Sequence, residues 1–215
     1  MASLLSKKRA PYRIETERLV LRPYEPTDSE LLRTTCARNK EHLSEYMPWA
    51  RFDPQTVDDK LELILGFRGQ FDSGGNYVYG IFNAKSQDLI GGTGFHPRLE
   101  GGEFEVGYWI AAESEGLGYI SEAMRALCRV GFDGMGLDII GIRMEPDNTR
   151  SERVAQKLGF VREGLLRRAL RFKPDPPKDV LRYTLLDSEY QTLDWRENNA
   201  SEVCAFDALS QEIKF

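Results

Sequence analysis

From Tyr12 the segment YRIETERLVLRPY sets apolar residues at Ile14, Leu19, Leu21 and Tyr24, with Thr16 and Glu17 breaking the period between them. The unbroken part predicts a first strand over roughly Leu19 to Pro23. Pro26-Thr27-Asp28 then offers capping side chains ahead of Leu31 and Leu32, so a helix is expected to about Arg38. Glu41 to Asp53, with Tyr46, Met47, Pro48 and Trp49, has no period and reads as a loop or short irregular helix. Leu61, Ile64, Leu65 and Arg68 recur at helical spacing and place a second helix over Val57 to Phe71, stopped by Gly74-Gly75-Asn76.

Two strands follow, Tyr77 to Asn83 and Asp88 to Phe95, joined by the polar turn Ala84 to Gln87 as a hairpin. Glu103 to Ile110 continues the ladder, with Phe104, Val106 and Tyr108 on one face and Glu105, Gly107 and Trp109 on the other. Beyond a glycine turn, Ile120, Ala123, Met124, Leu127, Val130 and Gly131 mark one helix face, ending near Gly134 to Gly136. Ile139 to Met144 is a strand stopped by Pro146, and Asn148 caps a short helix through Val154, Ala155 and Leu158 that Gly159 closes. Val161 to Phe172 and Val180 to Leu186 form a hairpin across the charged, proline-rich turn Lys173 to Lys178.

The pattern predicts an α/β (α+β) fold: a mixed, mostly antiparallel central sheet of about seven strands flanked by about four helices. Within the 215 residues, one domain is expected over residues 12–190, with a flexible N-terminus at 1–11 and a tail or loosely docked helix from about Asp194, within 191–215. Hydrophobic residues at 41% and charged residues at 29% are those of an ordinary globular protein. Neither a signal peptide nor an apolar run approaching about 18 residues is present, so a soluble, cytoplasmic protein without membrane contact is expected.

Cys36, Cys128 and Cys204 are far apart and outside any ligand spacing, which predicts free thiols and no metal site. The net charge of -5 and the lack of a basic stripe argue against nucleic acid and mildly favour an amine-bearing partner. Either a monomer or a homodimer is compatible with the chain. His42 and His96, the two histidines, are expected in surface or satisfied loop positions.

The stretch GYWIAAESEGLGYISEAMRAL joins a strand to an amphipathic helix through a tight glycine turn. Such a junction aims backbone N–H groups and the positive end of the helix dipole outward, which suits a pyrophosphate. Gly116 and Gly118 let the phosphate approach the main chain without a Cβ in the way. By itself the turn is equally an ordinary tight connection.

Its surroundings extend the reading. TERLVLRPYEPTD, NKEHLSEYMPWA, LIGGTGF, EVGYWIAAESEGLGYISEAMRAL and EPDNTRSERVAQKLGFVREGLLR, in this order, make the chain resemble the GNAT superfamily of acetyltransferases over about Tyr12 to Glu189, in particular its RimJ/RimL branch. The resemblance implies the GNAT acyl-CoA N-acyltransferase fold, acetyl-CoA as co-substrate, and transfer of acetyl to a primary amine: a protein N-terminus, a peptide or a small molecule. Its cofactor loop falls on Glu115, Gly116, Leu117, Gly118, Tyr119 and Ile120. Glu115 stands where a neutral or basic side chain is usual, and Ile120 where a small one is. Because main-chain N–H groups make the phosphate contacts in such loops, both departures are compatible with binding; the alternative is a non-catalytic CoA-binding or interaction module.

The resemblance also implies roles. Glu105 becomes the candidate base for the attacking amine, directly or through water, rather than an ordinary strand glutamate. Ser151 becomes the donor to the departing thiolate and Asn148 a contact to the pantetheine arm, although both also fit plain helix capping. Trp109 and Ile110 are expected to offer backbone groups to pantetheine, and Tyr46, Met47 and Trp49 to border the acceptor entrance or pack as a lid.

Overall fold

Leu19 and Leu21 point into one apolar core while Val20, between them, points into another. This double-sided burial organises one half of the sheet, where the strands Leu19–Arg22, Tyr77–Asn83, Leu89–Pro97 and Phe104–Ile110 each send side chains to both cores. The computed structural model describes residues 9–97, 103–198 and 203–215. Its strands are β1 (Arg13–Glu15), β2 (Leu19–Arg22), β3 (Tyr77–Asn83), β4 (Leu89–Pro97), β5 (Phe104–Ile110), β6 (Ile139–Met144), β7 (Val161–Leu170), β8 (Lys178–Leu186), β9 (Cys204–Phe206) and β10 (Glu212–Ile213). The helices are α1 (Ser29–Arg38), α2 (Lys40–Ser44), α3 (Val57–Ser73), α4 (Tyr119–Arg129), α5 (Thr149–Lys157), α6 (Asp187–Tyr190) and α7 (Asp194–Asn198).

The strands form one sheet in the order β10-β9-β1-β2-β3-β4-β5-β6-β8-β7. Every neighbouring pair is antiparallel except β5 and β6. Helices α1 and α3 cover one face through Leu32, Cys36 and Ile64, packed on Val20, Tyr24, Phe82 and Leu89. Helices α4 and α5 cover the other through Met124, Leu127, Ala155 and Leu158, packed on Ile81, Phe95, Val106 and Ile140. None of the described helices is long and apolar enough to cross a membrane.

The mixed α/β class matches the expectation, whereas the number of elements exceeds it. Strands β1, β9 and β10 have three residues or fewer, and helices α2, α6 and α7 five or fewer, too short to carry a readable period. The expected loose tail is corrected. Strand β9 pairs with β1 through Ile14↔Ala205, Ala205 is fully buried, and Trp195 Nε1 donates to the Leu158 carbonyl at 3.3 Å. The C-terminal segment therefore extends the sheet and closes the α4/α5 core. At the N-terminal end, residues 1–8 lie outside the described residues, but Ala10 is buried and the Pro11 carbonyl accepts from Tyr79 Oη at 2.6 Å. Ala10 and Pro11, expected within a flexible N-terminus at 1–11, are thus packed in place. The three cysteines are free thiols.

Helix α5 shows how local sequence sets an element. Asn148 Oδ1 accepts from the Ser151 amide at 3.1 Å to start it, and Gly159 ends it with φ of +87°. A Cβ on Gly159 would stand 2.6 Å from Leu193 Cδ2. Left-handed strain costs about 1–2 kcal/mol outside glycine, before the Leu193 contact is counted. Gly159→Ala is therefore expected to lower the melting temperature by about 2–8 °C, checked by thermal denaturation.

Candidate active site

Strands β5 and β6 pair only at Phe104↔Ile140 and Glu105↔Gly141. Past that point β5 follows β4 out to Gly91↔Ile110, while β6 follows β8 out to Met144↔Leu181. The two arms diverge, and a cleft of about 1090 Å³ opens between them. The main-chain groups of the β5 arm that face this gap have no strand opposite, so an extended, amide-bearing ligand could pair there as a strand would. Trp109 and Ile110 both line it.

The α4 N-terminus forms one end of the cleft. Gly116 and Gly118 hold φ of +71° and +82°, and Gly118 caps the helix. A Cβ at Gly116 would meet nothing within 4 Å, so backbone conformation, rather than space, calls for glycine there. Ala123, Met124 and Leu127 bury the inner face of α4 and fix its first turn against the sheet. Arg18 pins the same turn from β2's side, with Nε donating to Glu122 Oε2 at 2.6 Å and Nη1 to the Leu117 carbonyl at 3.1 Å. Gly116, Gly118, Tyr119 and Ile120 line the cleft, whereas the Leu117 side chain is exposed and does not. Ile120 also packs on the α4/α5 core, which uses its branched side chain.

Glu115 lines the cleft, yet its charge is matched. Its Oε1 accepts from Arg150 Nη1 at 2.8 Å and lies 3.5 Å from His42 Nε2. The acid thus bridges the glycine turn to the first turn of α5 and to α2. His42 Nε2 also stands 3.2 Å from the Ile110 carbonyl. This places His42 in the cleft wall, not in the surface or loop role expected for it. His96, on β4, faces Asn76 Oδ1 at 3.2 Å from Nδ1 and is not among the residues of the wall.

Two groups of polar side chains line the cleft from opposite faces of the sheet. On the α4/α5 face, Tyr108 Oη and Ser151 Oγ are 2.8 Å apart. Desolvation pushes the Tyr108 phenol up to about 12, against the smaller lowering effect of the Ser151 hydrogen bond, so it stays neutral near pH 7. Asn148 spends its side-chain carbonyl on capping α5, which leaves its amide nitrogen as the donor it could offer a ligand. On the opposite face, Glu105 sits at the last β5–β6 pair, where the arms part, and Glu105 Oε2 accepts from Arg143 Nε.

Tyr46 and Met47 line the cleft, and Tyr46 Oη donates to the Asp147 carbonyl at 3.3 Å, strapping α2's end to the loop after β6. Trp49 lies elsewhere: its ring meets Trp109 edge to face at 6.0 Å in the α1/α3 core. It packs behind the wall instead of bordering the entrance. Sequence reasoning gave His42 only a surface or satisfied loop position and passed over Arg143 and Arg150, because their partners lie 68, 38 and 35 residues away. The one available signal was that His42 falls inside NKEHLSEYMPWA, the segment already assigned to the entrance.

A family model described as an acetyltransferase (GNAT) domain matches residues 18–161. The uncharacterized N-acetyltransferase p20 of Bacillus licheniformis is 32% identical over 180 residues, covering 81% of this chain and 96% of that protein. The ribosomal-protein-serine acetyltransferase of Escherichia coli (strain K12) is 32% identical over 155 residues, covering 71% and 84%. The crystal structure of a GNAT-family acetyltransferase from Bacillus anthracis superposes with a TM-score of 0.69 at 26% identity, over 82% of this chain and 99% of that one.

Proposed function

The chain belongs to the GNAT acetyltransferase family and is an acetyl-CoA-dependent N-acetyltransferase; from that premise we propose that the amine attacks the thioester directly, in the gap between β5 and β6, with no covalent enzyme intermediate. The observation that carries this reading is that Glu105 on one face and the Tyr108–Ser151 pair on the other line the same cleft, where the two strands part.

In this reading the glycine turn and the α4 N-terminus hold the pyrophosphate, and the β5 arm at Trp109 and Ile110 pairs with pantetheine. Glu105 takes a proton from the acceptor nitrogen, directly or through one water, while Arg143 keeps its carboxylate at the apex. As nitrogen bonds to the carbonyl carbon and the C–S bond breaks, the sulfur leaves as thiolate. Ser151 Oγ donates to it, oriented by neutral Tyr108. Asn148 offers its amide nitrogen to the pantetheine arm. The acceptor enters past Tyr46 and Met47. A protein N-terminus is the acceptor class favoured by the printed activity of the Escherichia coli relative, a ribosomal-protein-serine acetyltransferase; a free peptide or another primary amine presents the same group.

Free-thiol release with a seryl peptide tests these roles. Ser151→Ala is expected to lower kcat about 10²-fold, the scale for losing one donor to developing negative charge. Tyr108→Phe, which removes only the orienting bond, is expected to lower it several-fold, about 1 kcal/mol. Acetyl-CoA affinity should hold in both variants. Unchanged rates in both would remove the thiolate-donor assignment.

A further inference from the structure

A second carboxylate shares the face of β6 that meets Glu105. Ile140, Ile142 and Met144 turn into the α4/α5 core, so Gly141, Arg143 and the next residue in phase, Glu145, lie on the opposite face. Glu145 is 9% exposed and lines the cleft. Its Oε2 accepts from Lys178 Nζ at 2.6 Å, whereas its Oε1 is buried with no hydrogen-bond partner among the described residues. Buried carboxylate oxygens are almost always bonded, and one left without a donor in the wall of a substrate cleft is placed to receive its donor from the ligand.

The two carboxylates of this face differ in what already holds them. Arg143 engages Glu105, so an incoming ammonium must share that carboxylate with a guanidinium. At Glu145 the paired cation, Lys178, is on the other oxygen. Glu145 lies four residues beyond Gly141, the β6 partner of Glu105, about 13 Å along the strand, with Arg143 between the two carboxylates, so an amine docked at Glu145 reaches Glu105 by moving along that face.

We infer that Glu145 is the subsite for the acceptor's ammonium group, its Oε1 accepting a hydrogen bond from the –NH3+ of a primary amine before Glu105 removes the proton. The ligand class follows: an unsubstituted ammonium without a carboxylate or phosphate beside it, since a second anion would face Glu145. Lys178 acts as a positioning residue that fixes Oε2 and so aims Oε1. This rests on the N-acetyltransferase reading, but its test does not depend on turnover.

The probe is n-propylammonium, titrated calorimetrically into the full chain with and without CoA, with n-propanol as the neutral isostere. The chain should bind propylammonium, and Glu145→Gln should weaken that binding at least tenfold, with propanol and CoA affinities unchanged. With a seryl peptide as acceptor, the same variant should raise the acceptor KM at least tenfold and leave the acetyl-CoA KM in place. Equal propylammonium affinity in the two proteins, or no binding to the unmodified chain, would overturn the assignment. Should Glu145→Gln melt below the assay temperature, Glu145→Asp, which retracts the charge by one methylene, is expected to weaken propylammonium in the same direction; undiminished affinity there would overturn it equally. Failure of the acetyltransferase reading would look different: no acetyl-CoA binding in the separate cofactor titration, whatever the ammonium does.

Discussion

Glu105→Gln is expected to lower kcat by about 10²- to 10⁴-fold, the range over which a positioned general base contributes. The amide keeps the shape of the side chain and an oxygen that can still accept from Arg143, so the apex of the cleft is preserved while its proton acceptor is lost. Glu105 lies on the face away from Ser151 and the glycine turn, and acetyl-CoA affinity should therefore be unaffected. Single-turnover thiol release separates the two quantities. An unchanged kcat would move the proton to another group and leave Glu105 as a strand residue paired with Arg143.

The second large effect is expected on cofactor binding. Gly118→Val puts a β-branched residue at φ of +82°, a region such residues essentially never occupy. The nearest atom a Cβ would meet is Arg18 Nη2 at 3.6 Å, so the strain is in the backbone and is relieved by rotating the turn. Rotation swings the Tyr119 and Ile120 amides away from their common direction, and each charge-assisted bond lost is worth about 1.5–3 kcal/mol. The Kd for acetyl-CoA should rise by about ten- to a hundredfold on calorimetric titration. Because α4 is anchored by Met124 and Leu127, well inside its buried face, circular dichroism should report a folded protein.

Glu115 marks where charge counted from a motif alone misleads. As an isolated acid beside phosphate it would oppose binding. In the folded chain Arg150 meets it at 2.8 Å, and the local charge is nearly balanced. Arg150 follows Asn148 by two residues, but nothing in the sequence ties the start of α5 to the glycine turn; only the parting of β5 and β6 brings those two ends to one cleft.

What could be read from the chain follows the length of the signal. Ile139–Met144 and Tyr77–Asn83 match expectation residue for residue, because each is an apolar run with clear stops on both sides. Helices α3 and α5 were legible from their period and from Gly74 and Gly159 behind them. Strands β9 and β10 were not: β9 has three residues and pairs with β1 nearly two hundred residues away, and β10 has only two, so neither leaves a local period. At the site, residues inside contiguous motifs, such as Gly116, Gly118, Asn148 and Ser151, were visible as candidates. Residues defined by cross-sheet geometry were hidden. Glu145 stands out only once Lys178 is found on one oxygen and no hydrogen-bond partner among the described residues on the other. Trp49, for which the sequence left both an entrance and a packing role open, packs against Trp109.

The most direct measurement is acetyl transfer itself: the purified chain, acetyl-CoA and a seryl peptide with a free α-amine, followed in parallel by thiol release and by peptide mass. The account predicts enzyme-dependent gain of one acetyl group on the α-amine with an equal yield of free CoA, abolished by acetyl-CoA omission and reduced by Glu105→Gln. Tight acetyl-CoA binding with no acetylated product from this peptide or from a panel of primary amines would contradict it.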